Sequence, residues 1–229
     1  MQFLELKSGT STEGAKIPAH LSDVKTAYKH FIYLIAGVHG DEVEGVFLLQ
    51  KLFASLHEDG TPVTPLVVLP ILNPDGYRTG TRTNASGVDL NRNCPSSKWT
   101  AEFREKKYFP GQKAGSEQEN KFLFSLFNKY PPGFIMSFHS WKPMLNFNGN
   151  CKEVAEFLSQ FNGYPVVDDI IDYPTPGSLG EFGPEKFNAP VLTFELPPLS
   201  SGKTLKEIWE ENSIGLCALF RSDLLRSFC

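Results

Sequence analysis

Short apolar runs alternate with longer segments of helical spacing along most of this chain. The strand predicted at 31–36, which contains the run FIYLI, is followed directly by an amphipathic helix predicted at 42–57. The same pattern predicts strands at 65–71, 133–138, 144–147 and 190–195, and helices at 116–130, 151–162 and 204–226. This alternation favours an α/β fold with a mostly parallel or mixed central sheet and helices on both faces. Since no repeat or linker interrupts the 229 residues, we expect one domain over 1–229.

The region between the second predicted strand and the second predicted helix lacks this periodicity. Asn73-Pro74-Asp75-Gly76 predicts a turn after the strand. From 77 to 115, glycine, proline, polar and charged residues dominate, and so long a loop in a compact domain is typical of a functional loop. Beyond it, Ser116 and Glu119 have the spacing of a capping box, which predicts that they start the helix at 116–130.

The composition argues against several classes of partner and location. A net charge of −4 provides no electrostatic basis for binding nucleic acid or an anionic membrane. No stretch approaches the ~20 apolar residues of a membrane span. Residues 1–16 lack the basic start and apolar centre of a secretory signal. Because the cysteines are scattered, we expect reduced thiols and a cytoplasmic protein; they are Cys94, Cys151, Cys217 and Cys229. The oligomeric state is not predicted.

Polar side chains follow the predicted strands at His39, Asn73, His139 and Glu195. In open α/β sheets, ligands bind beyond the carboxyl ends of the strands. A catalytic zinc site takes three protein ligands and leaves one position for water. His39, Glu42 and His139 would supply such a His₂Glu set for one zinc ion per chain, with Glu195 free as a base. The ordinary alternative is a hydrogen-bonded histidine beside acids that favour a helix start.

The loop at 78–93, RTGTRTNASGVDLNRN, contains three arginines and several asparagines. Guanidinium groups bind carboxylates through paired hydrogen bonds. Near an otherwise acidic site, this loop is therefore predicted to bind an anion through Arg82, Asn91 and Arg92. For Arg78, a solvated surface position explains the residue equally well.

Five short blocks together resemble the zinc carboxypeptidase family in order and approximate spacing. They are HGDE at 39–42, NPDGY at 73–77, RTNASGVDLNRN at 82–93, SFHS at 137–140 and FEL at 194–196. Other runs resemble the members of that family that trim peptidoglycan peptides: DLNRNCPSSKW at 89–99, GSEQEN at 115–120, YPTPGSLGEFG at 173–183 and FELPPLSSG at 194–202. The resemblance extends from about residue 31 to residue 200. It implies a zinc-carboxypeptidase-like fold and hydrolysis of peptide or amide bonds.

The resemblance also implies roles for individual residues. Zinc would be held by the histidines and the glutamate named above, with Glu195 as the general base and Arg82 as the group that stabilises the oxyanion. Asn91 and Arg92 would bind the free carboxylate of the released residue. Tyr173 resembles a mobile tyrosine that closes over the substrate.

The substrate implied by the resemblance is a small murein peptide, cut between γ-D-glutamate and meso-diaminopimelate. Leu179 resembles the residue on the floor of the side-chain pocket. Burying the zwitterionic end of diaminopimelate against leucine would be costly without polar partners. Glu181 is the candidate partner for its ammonium, and Lys142 or Asn146 for its carboxylate.

Three alternative functions stay open from the sequence. The chain can be a zinc carboxypeptidase of another peptide specificity, or an acylamino-acid deacylase similar to aspartoacylase. It can also be a binding protein that keeps the pocket without turnover. NPDGY at 73–77 and the loop after Tyr173 favour the peptidase, and the presence of every candidate ligand and base favours turnover.

Overall fold

The computed structural model describes residues 2–23, 28–58, 64–168 and 174–229. The strands among them are β1 (Phe3–Glu5), β2 (Gly9–Thr10), β3 (Lys16–Ile17), β4 (His20–Ser22), β5 (Phe31–Ile35), β6 (Leu66–Leu69), β7 (Pro132–Ser140), β8 (Met144–Asn148), β9 (Val166–Val167) and β10 (Val191–Leu196). Eight of these strands form one sheet in the order β1-β4-β6-β5-β7-β10-β8-β9, and β2 and β3 form a separate ribbon.

The middle of the sheet is parallel, and its flanks contain the antiparallel pairs. Strands β6, β5, β7 and β10 run parallel to one another, whereas β4 pairs antiparallel with β6 and β8 pairs antiparallel with β10. The predicted mixed sheet is therefore confirmed. Because the four central strands share a direction, the segments that follow them meet at one edge of the sheet.

Helices cover both faces of the sheet, as predicted. They are α1 (Val43–Glu58), α2 (Pro74–Thr79), α3 (Gln118–Lys129), α4 (Lys152–Asn162), α5 (Leu179–Phe187) and α6 (Leu205–Arg221). Ile32 and Leu34 of β5 lie in the core shared with α1, α4 and α6. Tyr33 and Ile35 point the other way, into the core shared with α3 and α5. This alternation follows from the two-residue period of a strand, and it explains why the central strands are apolar throughout.

Two local predictions need correction. The turn predicted at 73–76 is the start of α2, where Asn73 accepts a hydrogen bond from the Gly76 N–H and so caps the helix. The capping box predicted at Ser116 and Glu119 is wrong. Helix α3 begins at Gln118 without a side-chain cap, because buried Glu119 accepts from the Thr12 N–H and from Asn84 Nδ2 instead.

The loop at 77–115 is ordered by hydrogen bonds rather than by periodic structure. Two 3₁₀ turns lie within it, at Leu90–Arg92 and Lys106–Tyr108. Asn93 is fully buried, and its Nδ2 donates to the carbonyls of Pro110 and Lys113. The Asp89 N–H donates to the Phe109 carbonyl at 2.8 Å. These bonds fold the second half of the loop back onto the segment that contains Asp89 and Asn93.

The end of the chain also differs from the prediction. The final helix ends at Arg221 instead of 226, and a 3₁₀ turn at Leu224–Phe228 follows it. Within the residues described above, no helix is both long and apolar enough to cross a membrane.

Candidate active site

The turn between β5 and α1 brings His39 and Glu42 to the edge of the sheet. His39 follows the carboxyl end of β5, and Glu42 immediately precedes α1. A side chain at Gly40 would overlap the backbone of Gly76 and Tyr77, so the turn can pack this closely against α2 only with glycine there. The His39 and Glu42 side chains are consequently buried next to each other.

His39, Glu42 and His139 converge, as the sequence predicts. The two Glu42 oxygens lie 2.7 Å from His39 Nδ1 and 2.8 Å from His139 Nδ1, and the two Nδ1 atoms are 3.1 Å apart. One ligand atom from each residue lies within 4.8 Å of the others. Two histidine nitrogens and a carboxylate in this arrangement can hold a metal ion.

Each histidine is oriented by a hydrogen bond at its other nitrogen. Asp89 Oδ1 lies 3.1 Å from His39 Nε2, and Ser137 Oγ lies 2.9 Å from His139 Nε2. Partners of this kind fix the ring orientation and tautomer of metal-binding histidines. Neither partner was predicted from the sequence, although Asp89 is the one acid in the otherwise basic and amide-rich loop at 78–93, which was an available signal.

The charges in this cluster stabilise one another. Burial raises the pKa of Glu42, but the His39 and His139 rings outweigh it and hold that pKa well below its usual range. Burial likewise opposes ionisation of Asp89, whose pKa is nevertheless depressed by His39 and by Arg82. Both carboxylates are therefore ionised at neutral pH, as metal ligation and histidine orientation require.

Glu195 lies beside this cluster, since it is paired with His139 across the parallel strands β10 and β7. Its Oε2 is buried, and no hydrogen-bond partner for it occurs in the described part of the chain. Burial raises the pKa of Glu195 to about 8, and the nearby Glu42 carboxylate acts in the same direction. A cation bound at the cluster would lower this pKa, because a positive charge favours the ionised form.

The predicted anion-binding residues line the same cavity, which has a volume of about 1080 Å³. Arg82 donates from Nε to Asp89 and from Nη1 to Glu42, at 3.0 and 3.2 Å. Arg92 donates to the Asn91 carbonyl at 2.7 Å. The Asn91 side chain accepts from the Leu179 N–H at 2.8 Å, which fixes its amide and leaves its Nδ2 donor for a ligand.

The structure corrects the predicted pocket floor. The Leu179 side chain is buried in the core shared with α3, and it does not line the cavity. Ser178 and Gly180 line the wall at this point, and Thr193 of β10 contributes as well. Glu181, the residue predicted to meet the substrate ammonium, also lines the cavity. Tyr173 lies outside the described residues.

The two residues proposed for the carboxylate of the substrate side chain occupy different environments. Lys142 Nζ lies 4.8 Å from the centre of the neighbouring Trp141 ring, and Lys142 does not line the cavity. Asn146 does line it, but its Nδ2 already donates to the Val167 and Asp168 carbonyls at 3.1 Å. Neither is therefore well placed to donate to a substrate carboxylate.

Solved structures of similar fold define the class of protein to which this chain belongs. A carboxypeptidase A from Helicoverpa armigera superimposes with a TM-score of 0.79 over 98% of this chain and 69% of that one, at 18% identity, which shows a shared fold. The murein-tripeptide amidase MpaA from Escherichia coli O157 superimposes with a TM-score of 0.76 at 29% identity, over 97% of this chain and 92% of that one. The fold and the converged side chains define a metallocarboxypeptidase-type hydrolase of amide bonds.

Sequence comparison then gives the family. Murein peptide amidase A from Escherichia coli K12 is 34% identical over 183 residues, which cover 73% of this chain and 72% of that protein. The chain belongs to the murein peptide amidase A family. Residues 29–124 also match a family model described as the succinylglutamate desuccinylase/aspartoacylase catalytic domain.

Proposed function

We propose that this protein is a zinc-dependent amidase that cleaves murein peptides between γ-D-glutamate and meso-diaminopimelate, in turnover or recycling of the cell wall. The observation that carries the proposal is the convergence of His39, Glu42 and His139 beside Glu195, whose buried Oε2 has no hydrogen-bond partner among the described residues. The relationship to murein peptide amidases supplies the substrate class.

Zinc suits this donor set. Two histidine nitrogens and one carboxylate are ligands of catalytic zinc, and the outward nitrogens of both rings have hydrogen-bond partners in Asp89 and Ser137. When bound, zinc would supply Lewis acidity for activating water and polarising the scissile carbonyl.

The side chains around the cluster would carry the remaining steps. Glu195 would accept a proton from the attacking water and deliver it to the leaving amine. Arg82 would donate hydrogen bonds to the oxygen on which negative charge develops. Asn91 and Arg92 would bind the free carboxylate of the residue that is released.

The polar wall beyond Arg92 suits the zwitterionic end of diaminopimelate. Glu181 Oε2 is held by the Ser96 hydroxyl at 3.1 Å and by the Gly177 N–H at 3.0 Å. Its Oε1 lies 3.6 Å from Lys98 Nζ, and both residues line the cavity. We propose that Glu181 accepts the substrate ammonium and that Lys98, rather than Lys142, meets the carboxylate. A zwitterion would replace the weak pair between the two side chains, in which the Lys98 side chain is exposed.

A test of the metal assignment is the His139→Ala variant. Purified wild-type protein is expected to retain about one zinc per chain after dialysis, by the precedent of His₂Glu sites. The variant should lose it, because two ligands hold the ion much less tightly than three. His30→Ala, which removes an exposed histidine, is the matched control and should keep the metal. Unchanged zinc content in His139→Ala, measured by elemental analysis, would contradict the assignment.

A second candidate function is removal of the acyl group from an acylated amino acid. The match of residues 29–124 to the desuccinylase/aspartoacylase model favours it. An acylated amino acid is smaller than a murein peptide. The cavity, with a volume of about 1080 Å³, is large enough for a peptide and so favours the amidase. Hydrolysis of N-acetylaspartate or N-succinylglutamate, with murein peptides left intact, would favour this candidate.

The cellular location stays a prediction. Cys94, Cys151 and Cys229 are free thiols in the structure, and Cys94 and Cys151 are buried. Free thiols are consistent with a reducing compartment. We therefore keep the cytoplasm as the proposed location, with a small peptide as substrate and without nucleic acid or membrane as partners.

A further inference from the structure

Tyr108 lies on the cavity wall at the end of the 3₁₀ turn Lys106–Tyr108, and no sequence motif marks its position. The residues that follow it are tied to the segment that carries Arg92. The Phe109 carbonyl accepts from the Asp89 N–H at 2.8 Å, and the Pro110 carbonyl accepts from Asn93 at 2.7 Å. The half-buried ring is therefore anchored relative to the site, although it belongs to a long loop.

Two guanidinium groups contact this one ring. Arg82 Cζ lies 5.2 Å from the ring centre, and Arg92 Cζ lies 5.6 Å from it. Both distances are within the ~6 Å at which a cation is attracted to the face of an aromatic ring. Lys107 Nζ, at 4.9 Å, is a third cation on the ring, but it is exposed and paired with Glu105.

The two arginines are restrained to different degrees. Arg82 forms ion pairs with both Asp89 and Glu42. For Arg92, no carboxylate within ion-pair distance is found in the described ranges, and its hydrogen bond goes to the Asn91 carbonyl. Burial lowers the pKa of Arg92, Asp89 opposes that shift, and repulsion from Arg82 adds to it. The electron-rich face of Tyr108 therefore contacts two mutually repelling cations, one of which has few other restraints.

We propose that Tyr108 is a positioning residue that holds Arg82 and Arg92 on one wall of the cavity. It thereby couples binding of the terminal carboxylate, through Arg92, to stabilisation of the oxyanion, through Arg82. This inference rests on the proposed roles of the two arginines. Because the ring orders both groups before the substrate arrives, its loss should affect the substrate complex and the transition state together.

The test is a double-mutant cycle between Tyr108 and Arg92. Tyr108→Phe keeps the aromatic face, and kcat/KM should stay within roughly twofold of wild type, since the ring carries most of a cation–π contact. Tyr108→Leu and Tyr108→Met keep bulk without that face. In both, KM should rise and kcat should fall, so that kcat/KM drops roughly tenfold. Two replacements keep the test decisive if one of them fails to fold.

The cycle distinguishes an effect of Tyr108 on the position of Arg92 from a general loss of protein stability. In an Arg92→Ala background, the additional loss from Tyr108→Leu should shrink to less than about threefold, because one of the two partners is gone. Equal losses with and without Arg92, or wild-type kinetics in both non-aromatic variants, would overturn the proposal. The substrate is any N-acylated dipeptide that the zinc-loaded wild type cleaves. A failure of the murein assignment would therefore appear in the wild-type assay and leave the cycle interpretable.

Discussion

Replacing Glu195 by glutamine is expected to lower kcat by roughly 10² or more while zinc remains bound. The amide has nearly the shape of the carboxylate, but it cannot accept a proton from water. Glu195 is not among the converged ligand atoms, so the metal content should not change. The matched control is Glu185→Gln on α5, because the Glu185 carboxylate is exposed and contacts Ser97 outside the cavity. The control should retain full activity.

The pH dependence follows from the same residue. A base must be ionised, so kcat/KM should fall as the pH drops below the pKa of Glu195. Burial, reinforced by the Glu42 carboxylate, raises that pKa to about 8, and bound zinc should move it lower by favouring the carboxylate. The acidic limb of the profile is therefore expected below pH 8. Near-normal turnover of Glu195→Gln at every pH would mean that another group activates the water.

Converting the free carboxylate of the released residue to an amide is expected to abolish cleavage. The Arg92 guanidinium would then face a neutral group in the cavity, and the paired charge-assisted hydrogen bonds would be lost. Loss of such a charged partner costs roughly 10²-fold or more in kcat/KM. The measurement compares free-acid and amidated forms of one peptide by product analysis.

Arg92→Ala provides the reciprocal test. In that variant the free acid should be cleaved poorly, and its advantage over the amide should largely disappear. Arg78→Ala is the matched control, because Arg78 is an exposed arginine of the same loop that pairs with Glu13. Efficient cutting of the amidated peptide by the wild type would instead indicate an endopeptidase.

The sequence predicted the centre of the fold better than its edges. Apolar runs such as FIYLI at 31–35 are long enough to predict a buried strand. Each predicted strand also identifies the polar residues that follow its carboxyl end. By contrast, β1 and β9 have three and two residues, and they are defined by their partners in the sheet rather than by a pattern of their own. Helix α5 was missed because glycine and proline interrupt its nine residues.

The same distinction applies within the site. His39, Glu42 and His139 were predictable because each follows a recognisable strand or starts a helix. Leu179 was assigned to the wrong surface because the start of α5 was not foreseen. The helix begins there after its cap at Ser178, and Leu179 and Phe182, three residues apart, both face the core. Gly180 and Glu181 are thereby left facing the cavity.

Residues whose positions depend on the folding of the loop at 77–115 could not be predicted from the sequence. The position of Tyr108 depends on hydrogen bonds between segments about twenty residues apart, such as Asn93 to Lys113. The orientation of His39 by Asp89 joins residues that are 50 positions apart. No local pattern encodes such pairings, because they form only when the loop packs against the completed sheet edge.

The most direct test of the proposed function is a comparison of two matched substrates with zinc-loaded protein. Both are γ-D-glutamyl peptides, one ending in meso-diaminopimelate and the other in leucine, and mass spectrometry measures the released residue. We expect faster release of diaminopimelate, because Glu181 and Lys98 offer its zwitterionic end opposite charges that leucine cannot use. Release of leucine at an equal or higher rate, or cleavage of neither peptide, would contradict the murein assignment.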